Sequence, residues 1–220
     1  INANTGGINC GVEVFDRADS TEEFQAMFSV RGKALYTKMD FLFKMIGEIL
    51  NSSKLEDTKR LYEIVASVKS RAQVNLTGAG HSTAVLRAAA YSSPMAAFQD
   101  EMAGIGYYQF IEKLEKDFEQ RKEETVEELC KLMKKILRPE NFMISYTGER
   151  ESLETVQKLA GAVKAGLGTE PVEKSEEKLT CTKKNEGFKT SGQVQYVAQT
   201  GNFKKKGLEY TGALEILKVI

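Results

Sequence analysis

Hydrophobic and polar positions alternate near the amino terminus of the chain. Residues 8–15 (INCGVEVF) and 24–35 (FQAMFSVRGKAL) each place apolar side chains at every second position, and the polar stretch 16–23 joins them. Because successive strand residues face opposite sides, two such runs predict an antiparallel hairpin with one wet face. The spacing Ser20-x-x-Glu23 also fits a helix capping box, but no helical periodicity follows it, so a strand is predicted.

Helical spacing dominates the rest of the chain. Apolar residues recur at steps of three and four, which predicts helices over residues 39–50, 58–76, 82–91, 94–103, 107–137 and 152–167, and a further one from 210. The longest, 107–137, carries an apolar stripe through Tyr107, Phe110, Ile111, Leu114 and Phe118. Further strands are predicted at 142–147 (FMISYT) and 194–199. This order predicts an α+β fold, an antiparallel or mixed sheet covered by several helices including one long helix.

Composition narrows the functional classes. The chain has 220 residues, with 31 basic and 31 acidic side chains, so no net charge favours nucleic acid or an anionic membrane. No apolar run approaches the ~20 residues that a membrane span needs. Cys10, Cys130 and Cys181 lie far apart without a CxxC spacing, which indicates reduced structural thiols and not a zinc knuckle or redox pair.

The two ends suggest a piece of a longer polypeptide. Ile1 opens the chain without an initiator methionine or a signal sequence, and the apolar helical pattern GALEILKVI runs to the last residue.

His81 is the only histidine in the sequence, so no set of histidine metal ligands can form within it. It is either a catalytic base or peptide contact, or a residue at a turn or helix start that bonds local backbone. The second interpretation is favoured, because a base needs a partner to orient it and the flanking GHSTA offers none.

Other chemistry-bearing residues have simple structural interpretations. Gly78, Gly80 and Ser82 lack the lysine and the spacing of a phosphate-binding loop, which favours a turn between packed helices. An aromatic trio at helical spacing is core in preference to a peptide-stacking platform, a run of glutamates on a lysine-rich helix is a solvated face, and a lysine cluster produces only a weak local field. These groups are Tyr107, Tyr108 and Phe110; Glu123, Glu124, Glu127 and Glu128; and Lys204, Lys205 and Lys206.

Four segments together resemble the second half of the pitrilysin-type (insulinase) zinc metallopeptidases, in particular the presequence-protease branch. They are Thr5-Gly-Gly-Ile8; Lys69-Ser-Arg71 through Gly80-His-Ser-x-Ala84 and Arg87 to Tyr91-Ser-Ser-Pro94; Gly104-Ile-x-Tyr-Tyr108; and Phe142-Met-Ile-Ser-Tyr-Thr-Gly148. Their order and spacing agree over roughly residues 5–148.

The resemblance implies a chain built as two half-shells joined by a hinge, each half made of two related α+β domains. It implies that residues 1–168 form the third, non-catalytic domain, 169–185 a linker containing Pro171, and 186–220 the start of a fourth domain. In such enzymes an HxxEH motif of the amino-terminal half binds zinc and the carboxy-terminal half closes over the peptide. Neither HxxEH nor the substrate-holding RxxGGAY segment occurs here.

The sequence therefore predicts a non-catalytic segment of a zinc metalloendopeptidase that degrades unstructured peptides. Catalytic residues and metal ligands are expected to be absent from the segment, its substrate-binding residues stay unassigned, and zinc is expected in the missing amino-terminal half. Its partners would be that half and the peptide, with no nucleic acid and no membrane, in the cytoplasm or an organelle matrix. The alternatives are a helical scaffold module, an inactive peptidase homologue and, least favoured, a complete enzyme using His81 or a cysteine.

Overall fold

The computed structural model describes residues 1–17, 19–172, 179, 181–190, 193–209 and 211–217. This part of the chain contains two strands and eight α-helices, which confirms the α+β class. The elements are β1 (Ile8–Asp16), β2 (Phe24–Gly32), α1 (Met39–Ser52), α2 (Thr58–Gly78), α3 (Gly80–Ala89), α4 (Pro94–Ala103), α5 (Ile105–Lys116), α6 (Phe118–Ile136), α7 (Leu153–Ala165) and α8 (Gly212–Leu217). No helix in the described ranges is both long enough and apolar enough to cross a membrane.

The predicted amino-terminal hairpin is confirmed. β1 and β2 pair in an antiparallel sheet, closed at one end by the bond from Arg17 N–H to the Glu23 carbonyl (3.3 Å). In the connection, Ser20 Oγ accepts from the N–H groups of Glu22 and Glu23 (3.2 and 3.0 Å). The Ser20–Glu23 spacing therefore stabilises a turn and does not start a helix.

Chain contacts divide the protein into two units. The first comprises Ile1–Glu13, Met27–Leu61 and Glu119–Glu176, and its core forms where α1 packs on α7. Both helices supply the apolar stripes that the sequence predicts. The buried apolar residues of this unit are Met39, Leu42, Val156, Ala160, Val163 and Leu167.

The second unit comprises Val14–Ala26, Tyr62–Phe118 and Glu177–Ile220, and its core forms where α3, α4 and α5 pack together. Phe118 is the most buried apolar side chain, at 1% exposure, and its ring lies 5.4 Å from that of Tyr62. The other buried apolar residues are Val65, Ala90, Ala96, Ile105, Ile111 and Leu114.

The predicted long helix over 107–137 is wrong in one respect: it consists of two helices. α5 ends at Lys116 and α6 begins at Phe118, with Asp117 between them at φ −98° and ψ 10°. Aspartate is a weak helix former, and the polar stretch 119–125 supplies no apolar contact that would hold a straight helix across it.

The strands predicted at 142–147 and 194–199 are also wrong as stated. Both segments lack helical structure and neither pairs with another strand in the described part of the chain. A strand exists only with a neighbour to share its hydrogen bonds, so an apolar alternating pattern alone does not produce one. The helix predicted from Tyr210 is observed as α8, and both Tyr210 and the last three residues lie outside the described ones. The domain boundaries at 168 and 186 stay predictions.

Candidate functional site

The most strongly organised polar group of the second unit is built on Asp100 of α4. Ser93 Oγ caps α4 by accepting from Ala96 N–H (3.3 Å), and Pro94 occupies its first turn, where no N–H is needed. α4 carries Asp100 into the interior, where the residue is 2% exposed. A carboxylate this deeply buried must be fully hydrogen-bonded.

The Asp100 carboxylate caps the next helix. Its Oδ1 accepts from Ile105 N–H and its Oδ2 from Gly106 N–H, both at 3.1 Å. These are the first N–H groups of α5, which have no partner within the helix. The negative charge also lies at the positive end of the α5 dipole.

Two glycines make room for this cap. A Cβ at Gly106 would come within 2.9 Å of Asp100 Oδ2, and one at Gly104 within 2.9 Å of the Asp100 Cα, with the carboxylate closer still. Any side chain at Gly104 would therefore displace the carboxylate from α5. The motif Gly104-Ile-x-Tyr-Tyr108 has a packing explanation at its glycine positions.

Arg87 of α3 joins this carboxylate to a second one. Its Nη1 donates to Asp100 Oδ2 (2.6 Å), and its Nε and Nη2 donate to the two oxygens of Glu186 (2.9 and 3.3 Å). The hydroxyl of Tyr91, one helical turn after Arg87, also donates to Glu186. The guanidinium plane supplies both interactions at once, which a lysine could not do.

The electrostatics of the group favour the charged forms of the ion pairs. The hydrogen bond from Arg87, followed by that from Tyr91, holds the pKa of the Glu186 carboxyl below its ordinary value. Glu186, and after it Asp100, raises the pKa of the Arg87 guanidinium against the opposing effect of burial. Burial, followed by the bond to Glu186, raises the pKa of the Tyr91 phenol.

Two aromatic rings flank the guanidinium carbon of Arg87, Tyr91 and Phe188, each with its centroid 5.7 Å away. Such contacts contribute about 0.5–1 kcal/mol each at partly exposed sites. The cluster thus fastens the segment around Glu186 and Phe188 to α3, and α3 to the α4–α5 junction. It contains no nucleophile, and its carboxylates are already paired, so its role is to hold structure.

A second ion pair crosses the same unit. Lys69 of α2 donates to Glu115 Oε2 of α5 at 2.5 Å, with both side chains about three-quarters buried. The bond to Glu115 raises the pKa of the Lys69 ammonium group. The resemblance motif that begins at Lys69 therefore marks a helix–helix contact.

His81 lies in the first turn of α3, exposed, with its ring 6.1 Å from that of Tyr196. Gly80, beside it, is required by the same aromatic ring: a Cβ there would lie 2.5 Å from Tyr196 Cε2. α2 ends at Gly78 and α3 begins at Gly80, so the glycines separate packed helices. This geometry agrees with a turn and not with a phosphate loop.

The predicted aromatic stripe is correct in part. Ile111, Leu114 and Phe118 are buried, but Phe110 is 58% exposed. Tyr108 donates its hydroxyl to Glu112 at 2.7 Å on the same helix. The prediction of a core position for Phe110 is wrong, because a helix presents only one stripe to its neighbours and Phe110 lies beside that stripe.

The predicted solvated face of α6 is confirmed. Arg121 pairs with Glu124 (3.0 Å) and Lys131 with Glu127 and Glu128 (2.8 and 3.2 Å), all at exposed or half-exposed positions. In the lysine cluster, Lys205 pairs with Glu22 at 2.6 Å. The three cysteines are free thiols.

The residues present do not fit a catalytic zinc ion. Zinc sites in hydrolases use three protein ligands drawn from histidine, cysteine and carboxylate side chains. No group of three such residues comes together in the described ranges, and the sole histidine packs beside a tyrosine. No step of zinc chemistry is therefore assigned to this chain.

Sequence reasoning missed Asp100 and Glu186. A signal for Asp100 is present: an acidic residue in an otherwise apolar helix face, followed four and six residues later by Gly104 and Gly106. No local signal identifies Glu186, because its partner Arg87 lies 99 residues earlier in the chain.

Comparison with known proteins agrees with this architecture. The family of regions associated with peptidases of family M16, subfamily C, matches residues 1–114. Protein HypA of Clostridium perfringens is 32% identical over 220 residues, covering 100% of this chain and 22% of that protein. Presequence protease 1, chloroplastic/mitochondrial, of Arabidopsis thaliana is 25% identical over 99% of this chain and 20% of its own length. The mitochondrial presequence protease of Yarrowia lipolytica is 28% identical over 55% of this chain and 12% of its own length.

The chain belongs to this peptidase-associated family of the M16 peptidases, subfamily C. The resemblance to the carboxy-terminal region of pitrilysin-type presequence proteases is thereby confirmed. The homology supports a peptidase-associated, non-catalytic segment. The chain spans about a fifth of the length of HypA and of the Arabidopsis protease.

Proposed function

We propose that this chain is a structural segment of a zinc metalloendopeptidase, where it forms part of the wall that encloses an unstructured peptide. The observation that carries the proposal is the alignment of essentially the whole chain with one internal portion of much longer relatives, among them a presequence protease. Zinc and the bond-breaking groups would lie in the amino-terminal part of the same polypeptide.

The organisation of the second unit supports a wall. The Arg87 cluster fixes α3, α4 and the segment around Glu186 to one another through buried or half-buried ion pairs. Rigid elements of this kind keep their shape when a neighbouring domain moves. A chamber wall needs such rigidity, because enclosure selects substrates by size and flexibility only if the wall does not yield.

The chain would work beside the amino-terminal catalytic part of its own polypeptide and in contact with the enclosed peptide. We place the whole protein in the cytoplasm, or in an organelle matrix if its host is a eukaryote. The names of the plant and yeast relatives, which place them in chloroplasts or mitochondria, support the second location.

The enclosure proposal is tested with the full polypeptide that contains this chain. An unstructured peptide and the same sequence built into a stable folded domain are offered as substrates, with and without a zinc chelator. We expect zinc-dependent cleavage of the free peptide and none of the folded form. Equal cleavage of both forms contradicts enclosure, and absence of any cleavage supports an inactive homologue.

A further inference from the structure

The segment 142–147 is a β-patterned stretch with no strand partner. In the described part of the chain, no backbone hydrogen bond joins residues 143–147 to any other residue. Backbone N–H and C=O groups are obligatory hydrogen-bonding groups, and an unpaired row of them is a template for another strand. The FMISYT pattern that predicts a strand is therefore realised without its neighbour.

Both flanks of the segment are fixed. Before it, Asn141 Nδ2 donates to the carbonyls of Lys135 and Ile136 at the end of α6 (3.3 and 3.4 Å). After it, the Tyr146 hydroxyl bonds to the buried Ser152 Oγ and donates to the Glu149 carbonyl (3.4 Å). A stretch anchored at both ends is held ready for pairing, which lowers the entropic cost of docking.

The exposed side chains point to the kind of partner. Met143 is 71% exposed and Ile144 45% exposed, although both are apolar. Adjacent strand residues face opposite sides, so apolar groups are left uncovered on both faces of the segment. Strands apolar on both faces occur inside sheets covered on both sides, not at wet edges.

We propose that residues 142–147 form an interior strand of a sheet whose neighbouring strand comes from a part of the same polypeptide outside these 220 residues. The relatives are about five times as long as this chain, since it covers 22% and 20% of two of them, so most of the polypeptide lies elsewhere. A bound peptide substrate is the less favoured occupant, because it would cover the edge but leave an apolar face wet. The inference rests on the proposed function only in taking the chain as a segment of a longer protein.

Hydrogen exchange tests the pairing in the full polypeptide. We expect the amides of 143–147 to exchange about a hundredfold more slowly there than in the 220-residue chain. The N–H groups of residues on the exposed face of α6 serve as an internal reference that does not change.

Cysteine accessibility gives a second readout that needs no destabilising change. Met143→Cys is introduced into the full polypeptide and labelled with a maleimide, with the label located by peptide mass spectrometry. Glu151→Cys, an exposed position on the 3₁₀ turn Arg150–Ser152, is the matched control. We expect Cys at 143 to be shielded in the full polypeptide and reactive in the 220-residue chain, and Cys at 151 to react in both.

Three results overturn the inference. Fast exchange and free labelling in the full polypeptide show that no strand covers the segment. Protection that appears only when peptide substrate is added identifies the substrate as the occupant, and protection that rises with the concentration of the 220-residue chain identifies a second copy. Protection in a full polypeptide that cleaves no peptide keeps this inference and removes the proposed function, so the two failures are distinguishable.

Discussion

Arg87 and Asp100 form a buried ion pair, with Arg87 Nη1 2.6 Å from Asp100 Oδ2. The same carboxylate oxygen accepts the N–H of Gly106 at the start of α5, so one side chain of α4 ties α3 to α5. Groups that share a buried charge in this way depend on one another, because removal of one leaves the other desolvated and unpaired.

Asp100→Ala should destabilise the protein strongly. The change removes two caps of α5 and leaves the Arg87 guanidinium partly buried beside a vacated site, which costs about 3–5 kcal/mol for a broken buried pair. Glu101→Ala, at the exposed neighbouring position, should change the free energy of unfolding by less than about 0.5 kcal/mol. Urea denaturation of both variants measures the difference, and equal midpoints would contradict the structural role of Asp100.

Gly104→Ala should destabilise because its methyl group would meet the Asp100 carboxylate and backbone. We expect a loss of about 1–3 kcal/mol from forced displacement in a packed region. Gly161→Ala is the matched control: nothing lies within 4 Å of a Cβ at this position in α7, so alanine should stabilise the helix by up to about 1 kcal/mol. Thermal unfolding measures both, and the same sign for the two variants would refute the packing explanation.

The Glu186 contact should weaken in acid. Because Arg87 lowers the pKa of Glu186 in the folded protein, this contact contributes fully above the ordinary glutamate pKa of 4.5 and is lost as pH falls through the lower folded value. We expect Glu186→Gln to be less stable than the native protein at pH 7, with the difference shrinking below pH 4.5. Denaturation midpoints across pH 3–7 check this. A difference that stays constant over that range would exclude an ionic contact.

Phe118→Ala and Phe110→Ala should differ sharply although both phenylalanines belong to the same predicted stripe. Phe118 is 1% exposed and Phe110 58% exposed. Removal of a buried phenylalanine ring costs about 3–5 kcal/mol, whereas an exposed substitution stays within about 0.5 kcal/mol. Chemical denaturation of the pair provides the measurement, and a comparable loss at Phe110 would show that another surface covers it.

Much of the fold could be predicted from local pattern. The hairpin, the break at Gly78–Gly80 and the start of α4 at Pro94 follow from period-two alternation, glycine and proline, and the observed elements agree with them. The predicted cap of α2 is also present: Asp57 Oδ1 accepts from Arg60 N–H at 3.0 Å. These features depend only on residues within a few positions of one another.

Features that depend on distant residues could not be predicted. The break at Asp117 and the exposure of Phe110 are set by which neighbours α5 has, and strand formation at 142–147 requires a partner that the pattern does not specify. The contact of Glu186 with Arg87 joins positions 99 residues apart. The candidate site was therefore missed at its acidic residues, while Arg87, Tyr91 and Gly104 were noticed only as parts of a resemblance.

The central claim is that the hydrolytic machinery lies in polypeptide beyond this chain. Zinc content per molecule, measured by elemental analysis together with cleavage of an unstructured peptide, tests it most directly for the 220-residue chain and the full polypeptide in parallel. The account predicts stoichiometric zinc and cleavage for the full polypeptide and neither for the chain. Zinc-dependent cleavage by the chain alone, abolished by His81→Ala, would contradict it.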